Sequence, residues 1–278
     1  MDRFCGGMKA GNGMAKYNYK DSEIDYEIYG SGKTILFLHG WSMDKRIMRN
    51  SFEPVFENST EYRRIYFDLP GMGVSKAGSV VNSDQMLDVI YNFAKEVAGD
   101  RFIIAGESYG GYLARGFHKM HPEMILGFIF LCPLVFPGSR KGRYEPLNVM
   151  EKDEGFLASL SKEEYDSFTY MNVVLTKEVF ERYKTDIMSA LAIQNWDYLN
   201  NVLDGSFSFD VDALDEPCRL PCLFITGKQD TEVGYKDQFD LMRNFPKATY
   251  CAINAAGHNL QIEQPEMFRS IVKSWLGI

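Results

Sequence analysis

The amino-acid sequence predicts an α/β fold: a mostly parallel central sheet flanked by helices, with one helical insertion. Three observations carry this. Short continuous apolar runs recur at 34–38, 102–105, 127–132 and 222–226, and each ends at Gly, Pro or a polar residue. Such runs read as strands buried on both faces. Helical patterns separate them, as in Met86, Ile90, Phe93 and Val97. From about Gly138 to Pro217 the strand rhythm stops and helical patterns alone remain.

In chain order, residues 1–16 are Gly-rich without a continuous apolar segment, so they read as a mobile leader and not a signal peptide. Alternation at 17–19 and 24–29, around Asp21-Ser22, predicts a hairpin. The run 34–38 is a central strand ending in His39-Gly40-Trp41. A second, 63–67, ends in Asp68-Leu69-Pro70-Gly71-Met72-Gly73. Ser83 is the expected N-cap of the next helix. The strand at 102–105 runs into Gly106-Glu107-Ser108-Tyr109-Gly110, then a helix closed by His121-Pro122.

The strand at 127–132 leads to the insertion, which begins after a strand ending near Leu134. There Ser161-Lys162-Glu163-Glu164 forms a capping box, and a long helix is expected from about Thr176 to Asn200. Strands at 222–226 and 249–253 and a helix opened by Pro265 complete the chain. The expected organisation is a leader at 1–16, a core at 17–137 plus 216–278, and a helical cap at 138–215.

Composition excludes several functions. Thirty basic against 38 acidic residues give a net charge of −8, without the basic footprint of nucleic-acid or anionic-membrane binding. No apolar run reaches transmembrane length. The five cysteines are dispersed, unlike a disulfide framework, so a reducing, cytoplasmic setting is expected. Cys218 and Cys222 lack a second ligand pair, and His118-x-x-His121 lacks nearby acids, so no metal is expected. Gly32-Lys33-Thr34 and Gly71-x-Gly73 are incomplete phosphate-loop and dinucleotide patterns, so no cofactor is expected either.

The chemistry centres on Gly106-x-Ser108-x-Gly110. Strand, sharp turn and helix together lift the Ser108 hydroxyl out of the sheet edge. A serine nucleophile needs a base, and the base needs an orienting acid. Of four histidines, His258 is the one at a strand end and not on the elbow helix or below a loop. Asp230, after Gly227, is the matching acid; Asp210, Asp212 and Asp215 lie at the end of the cap. The backbone N–H groups of Tyr109 and Trp41 are the candidate oxyanion donors. Trp41, Tyr109, Phe168, Tyr170, Met171, Met188 and Trp196 are candidate pocket residues.

Together these motifs, with Val74-Ser75, Gly227-Lys228-Gln229-Asp230 and Gly257-His258, resemble the α/β-hydrolase family, and its cap-bearing branch in particular. The resemblance runs from about residue 30 to the C-terminus. It implies a triad of Ser108, Asp230 and His258 acting on a small-molecule acyl substrate, a carboxylic ester or thioester, through an acyl-enzyme. Serine in place of aspartate at the elbow disfavours epoxide and haloalkane chemistry. Carbon–carbon hydrolysis and a slow-turnover small-molecule receptor are the alternatives. The chain is expected to be a monomer or a homodimer.

Overall fold

The computed structural model describes residues 14–278. Three strands open the chain: β1 (Met14–Tyr19), β2 (Ser22–Tyr29) and β3 (Lys33–Leu38). Helix α1 (Lys45–Phe52), β4 (Tyr62–Phe67) and α2 (Ser83–Phe93) follow. Then come β5 (Phe102–Glu107), α3 (Tyr109–Met120) and β6 (Ile125–Leu131). The insertion carries β7 (Glu151–Lys152), α4 (Glu154–Leu157), α5 (Lys162–Thr169), β8 (Val174–Leu175), α6 (Lys177–Tyr183) and α7 (Ser189–Leu191). The chain closes with β9 (Cys222–Gly227), α8 (Tyr235–Asp240), β10 (Ala248–Ile253), α9 (Leu260–Glu263) and α10 (Pro265–Leu276).

Among the described residues the main sheet has eight strands in the order β1-β2-β4-β3-β5-β6-β9-β10. Only the β1–β2 and β2–β4 pairs are antiparallel. The parallel register places Leu38 beside Gly106, and Glu107 beside Leu131, so these strands end at one edge. β5 and β9 are buried throughout, as their unbroken apolar runs require. Successive side chains face opposite sides. Phe37 stacks on Tyr66 and meets Phe52 of α1, while Phe67 and Tyr26 pack on Phe93 of α2. Helices therefore cover both faces.

Several expectations are corrected. Residues 14–16 belong to β1, where Ala15, Tyr17 and Tyr19 alternate inward; the rest of the expected leader, with Cys5, lies outside the described residues. Asn82, not Ser83, caps α2, accepting from the Gln85 N–H, while buried Ser83 bonds the Tyr109 hydroxyl. The insertion holds the short parallel pair β7–β8. Its long helix is broken: α6 passes through a π turn at 184–188 into α7 and stops. The Asn195 side chain accepts from the Tyr198 N–H, the local competition that makes Asn a poor helix interior.

Two loops at the sheet edge are tied by buried charge. Lys45 Nζ lies 2.5 Å from Asp25 and 3.1 Å from Asp68, all three side chains being buried. Asp68 also accepts the backbone N–H groups of Lys45 and Val74. Removing one member of such a set strands the rest in low dielectric. Asp68→Ala is therefore expected to lower stability by about 3–5 kcal/mol, read as a shift of the urea midpoint at constant slope; a shift under about 0.5 kcal/mol would refute this account.

Candidate active site

Ser108 stands between β5 and α3 with φ +50° and ψ −115°, a conformation costly for a residue with a side chain. Its backbone is held from both sides. Its N–H donates to Leu131 O, and its carbonyl accepts from Gly111, Tyr112 and Leu134. The turn needs glycine: a Cβ on Gly106 would lie 2.5 Å from Gly110 O, and one on Gly110 would lie 2.3 Å from Leu38 O. The hydroxyl is thereby presented at the start of α3.

The loops after β9 and β10 bring two further side chains to it. His258 Nε2 lies 3.0 Å from Ser108 Oγ, and His258 Nδ1 lies 2.9 Å from Asp230 Oδ2. An ionised carboxylate only accepts, so Nδ1–H donates to Asp230 and Nε2 faces the hydroxyl. Asp230 also accepts the N–H groups of Glu232 and Val233 at 2.8 and 3.0 Å. Burial pushes its pKa upward, but His258 and these donors outweigh that and hold it below the usual carboxylate range. Burial likewise disfavours the His258 cation, yet Asp230, then Glu107 and Glu232, raise its pKa to about 9.

Glu107 is a carboxylate that the sequence reading passed over. It is buried, and its Oε2 accepts the Gly40 N–H at 2.6 Å. Its Oε1 lies 4.0 Å from His258 Nε2. Burial raises its pKa, opposed by His258 and the Gly40 donor. Its signal was its place beside Ser108 on an otherwise apolar strand. The 39–41 loop is also fixed by His39, whose Nδ1–H donates to Gly40 O while Nε2 accepts the Leu69 N–H. The Trp41 N–H has no protein acceptor among the described residues. The Tyr109 N–H is one of the donors a helix start leaves free of intrahelical bonds.

Ser108, His258 and Glu107 open on a cavity of about 580 Å³. Trp41, Tyr170 and Met171 line it. Four other candidate pocket residues do not. Phe168 is fully buried inside the insertion against Phe180 and Tyr183. The Tyr109 side chain is buried, with its hydroxyl on Ser83. Trp196 is 45% exposed beyond the broken helix. Met188 packs partly buried against the core; Tyr183, Ile187 and Leu191, four residues apart along the chain, form the lining instead. Arg140, Asp166 and Glu232 add charge to the wall.

Cys132 Sγ joins the Asp230 and His258 ligand atoms within 4.8 Å. Burial drives its thiol pKa well above the usual value, and the other two groups are bonded to each other. That donor set suits a proton relay better than a metal. Cys218 and Cys222 are likewise buried, with raised thiol pKa values.

Comparison with known proteins places this geometry among relatives. Residues 33–265 match the profile of a family described as the alpha/beta hydrolase fold. A pimeloyl-[acyl-carrier protein] methyl ester esterase of Aeromonas hydrophila is 25% identical over 268 residues, covering 91% of this chain and 99% of that protein. A biotin biosynthesis bifunctional protein of Teredinibacter turnerae is 25% identical over 256 residues, 87% of this chain; the match spans only 44% of that longer protein. The solved structure of an alpha/beta superfamily hydrolase from Oenococcus oeni superposes with a TM-score of 0.83 at 30% identity, covering 95% of this chain and 98% of that one.

The two carboxylates beside the imidazole generate a measurable expectation. Followed by NMR, His258 should titrate near pH 9 and at lower pH in Asp230→Asn, with a smaller drop in Glu107→Gln. An unchanged titration in both variants would overturn the electrostatic account.

Proposed function

The chain belongs to the α/β-hydrolase family, and on that premise we propose that it is a serine hydrolase cleaving small acyl substrates, carboxylic esters or thioesters, through an acyl-enzyme. One observation carries the reading. Ser108 Oγ, His258 and Asp230 form a continuous hydrogen-bonded row, at 3.0 and 2.9 Å, whose Ser108 and His258 face a largely apolar cavity. A serine, an imidazole and a buried carboxylate in that order are the parts acyl transfer needs.

Ser108 Oγ attacks the acyl carbon as His258 Nε2 takes its proton. The tetrahedral oxyanion is held by the Tyr109 and Trp41 N–H groups. Removing one such donor from related chemistry slows it about 10²- to 10³-fold. The imidazolium that forms is balanced by Asp230, with Glu107 4.0 Å from Nε2. His258 then returns the proton to the leaving alcohol or thiol, and a water activated by His258 releases the acid. The ester class is supported by the name of the Aeromonas hydrophila relative. We read the segment 138–215 as a cap, whose Tyr170, Met171, Tyr183, Ile187 and Leu191 favour a modest apolar acyl group.

A fluorophosphonate probe tests this without knowledge of the substrate. One label per chain is expected on Ser108, none in Ser108→Ala, and a rate at least about 10³-fold lower in His258→Ala. The base must be neutral, so the labelling rate should rise as pH rises through the His258 pKa. A folded wild-type protein that takes no label at Ser108 would refute the proposal.

A further inference from the structure

Glu263 is a buried carboxylate that the reaction just described does not use. It closes α9, five residues after His258, and is 5% exposed. Its Oε1 accepts the N–H groups of Val173 and Val174, at 2.5 and 3.2 Å, and its Oε2 accepts the Gly257 N–H at 2.6 Å. One oxygen therefore grips the insertion at β8, and the other grips the residue immediately before His258. The two backbones are already close: a Cβ on Gly257 would lie 2.8 Å from Met171 O. A second tie lies alongside, the Asn259 amide donating to Asn172 Oδ1 at 2.9 Å. Met171, next in the chain, lines the cavity over Ser108.

We propose that Glu263 is a positioning residue that clamps the insertion to the His258 loop, so that the imidazole is aligned with Ser108 only while the insertion is seated. This rests on the hydrolase reading of Ser108 and His258. A carboxylate is the one side chain that can do it. Three N–H groups converge on its two oxygens, so both must accept, and only the ionised form has two acceptors and no donor. A glutamine would turn its NH₂ toward an N–H on one side of the clamp. Charge-assisted bonds of this kind are about twice as strong as neutral ones.

Burial raises the Glu263 pKa to about 7, opposed by its three backbone donors and assisted by the charge on Asp230. Other charges face the same region: Glu151 from β7, Glu178, Glu181 and Arg182 from α6, and Glu266 and Arg269 from α10. Protonation would convert one acceptor oxygen into a donor and open one side of the clamp. The clamp is therefore closed above neutrality and loosened below it, the same sign as the His258 base but with a midpoint near 7 instead of 9.

The test is hydrogen exchange on the full chain, corrected for intrinsic rates, from pH 5.5 to 8.5. Protection of peptides covering 171–175 and 255–260 is expected to rise together with one shared midpoint near pH 7. In Glu263→Gln both segments should exchange about tenfold faster and lose that midpoint. With p-nitrophenyl butyrate, kcat should fall about tenfold. Should that variant fail to fold, the wild-type titration decides alone. Protection that is independent of pH, or that changes in only one of the two segments, overturns the proposal. The exchange arm needs no turnover, so failure of fluorophosphonate labelling counts against the hydrolase reading alone.

Discussion

The structure depends on how closely a helix can be brought to the end of a central strand. α3 starts one residue after β5 stops, and that residue, Ser108, takes a left-handed φ of +50°. A strained residue persists only when its surroundings over-determine it. Here four backbone hydrogen bonds converge on Ser108, from Leu131, Gly111, Tyr112 and Leu134. They tie β5, β6 and α3 into one unit, and the end of β3 packs against it through Gly110. The position of the hydroxyl follows from that packing.

The loops around this unit are held by buried carboxylates, each spent on backbone N–H groups. Asp68 holds Lys45 and Val74, Glu107 holds Gly40, Asp230 holds Glu232 and Val233, and Glu263 holds Val173, Val174 and Gly257. Irregular loops cannot satisfy their own donors as helices and sheets do. A buried charge is unfavourable unless it is paired or hydrogen-bonded. Each problem removes the other: the donors offset desolvation of the charge, and the charge fixes the loop. The carboxyl edge of the sheet is thus irregular in shape without being loose.

Much of this was legible in the sequence. β3, β5, β6 and β9 announce themselves as unbroken apolar runs, because a strand covered on both faces has no solvent side. The convergence of Ser108, Asp230 and His258 was legible because each stands where a strand of one parallel sheet stops. The insertion was harder. Phe168 and Trp196 have the composition of a pocket wall, but composition does not say which way a face turns. Ile187 and Leu191, and not their neighbour Met188, line the cavity. Glu107 and Glu263 were passed over because their partners include backbone groups 67 and 90 residues away, which no local pattern records.

The contact between Gly40 and Glu107 carries a consequence for how this chain can change by mutation. A Cβ at position 40 would stand 2.5 Å from Glu107 Oε2, and that oxygen is itself pinned by the Gly40 N–H. A side chain at 40 would have to push the Glu107 carboxylate aside and so break the bond that holds the loop. Removing the carboxylate instead leaves the Gly40 N–H without an acceptor. The two positions are therefore coupled across 67 positions of sequence.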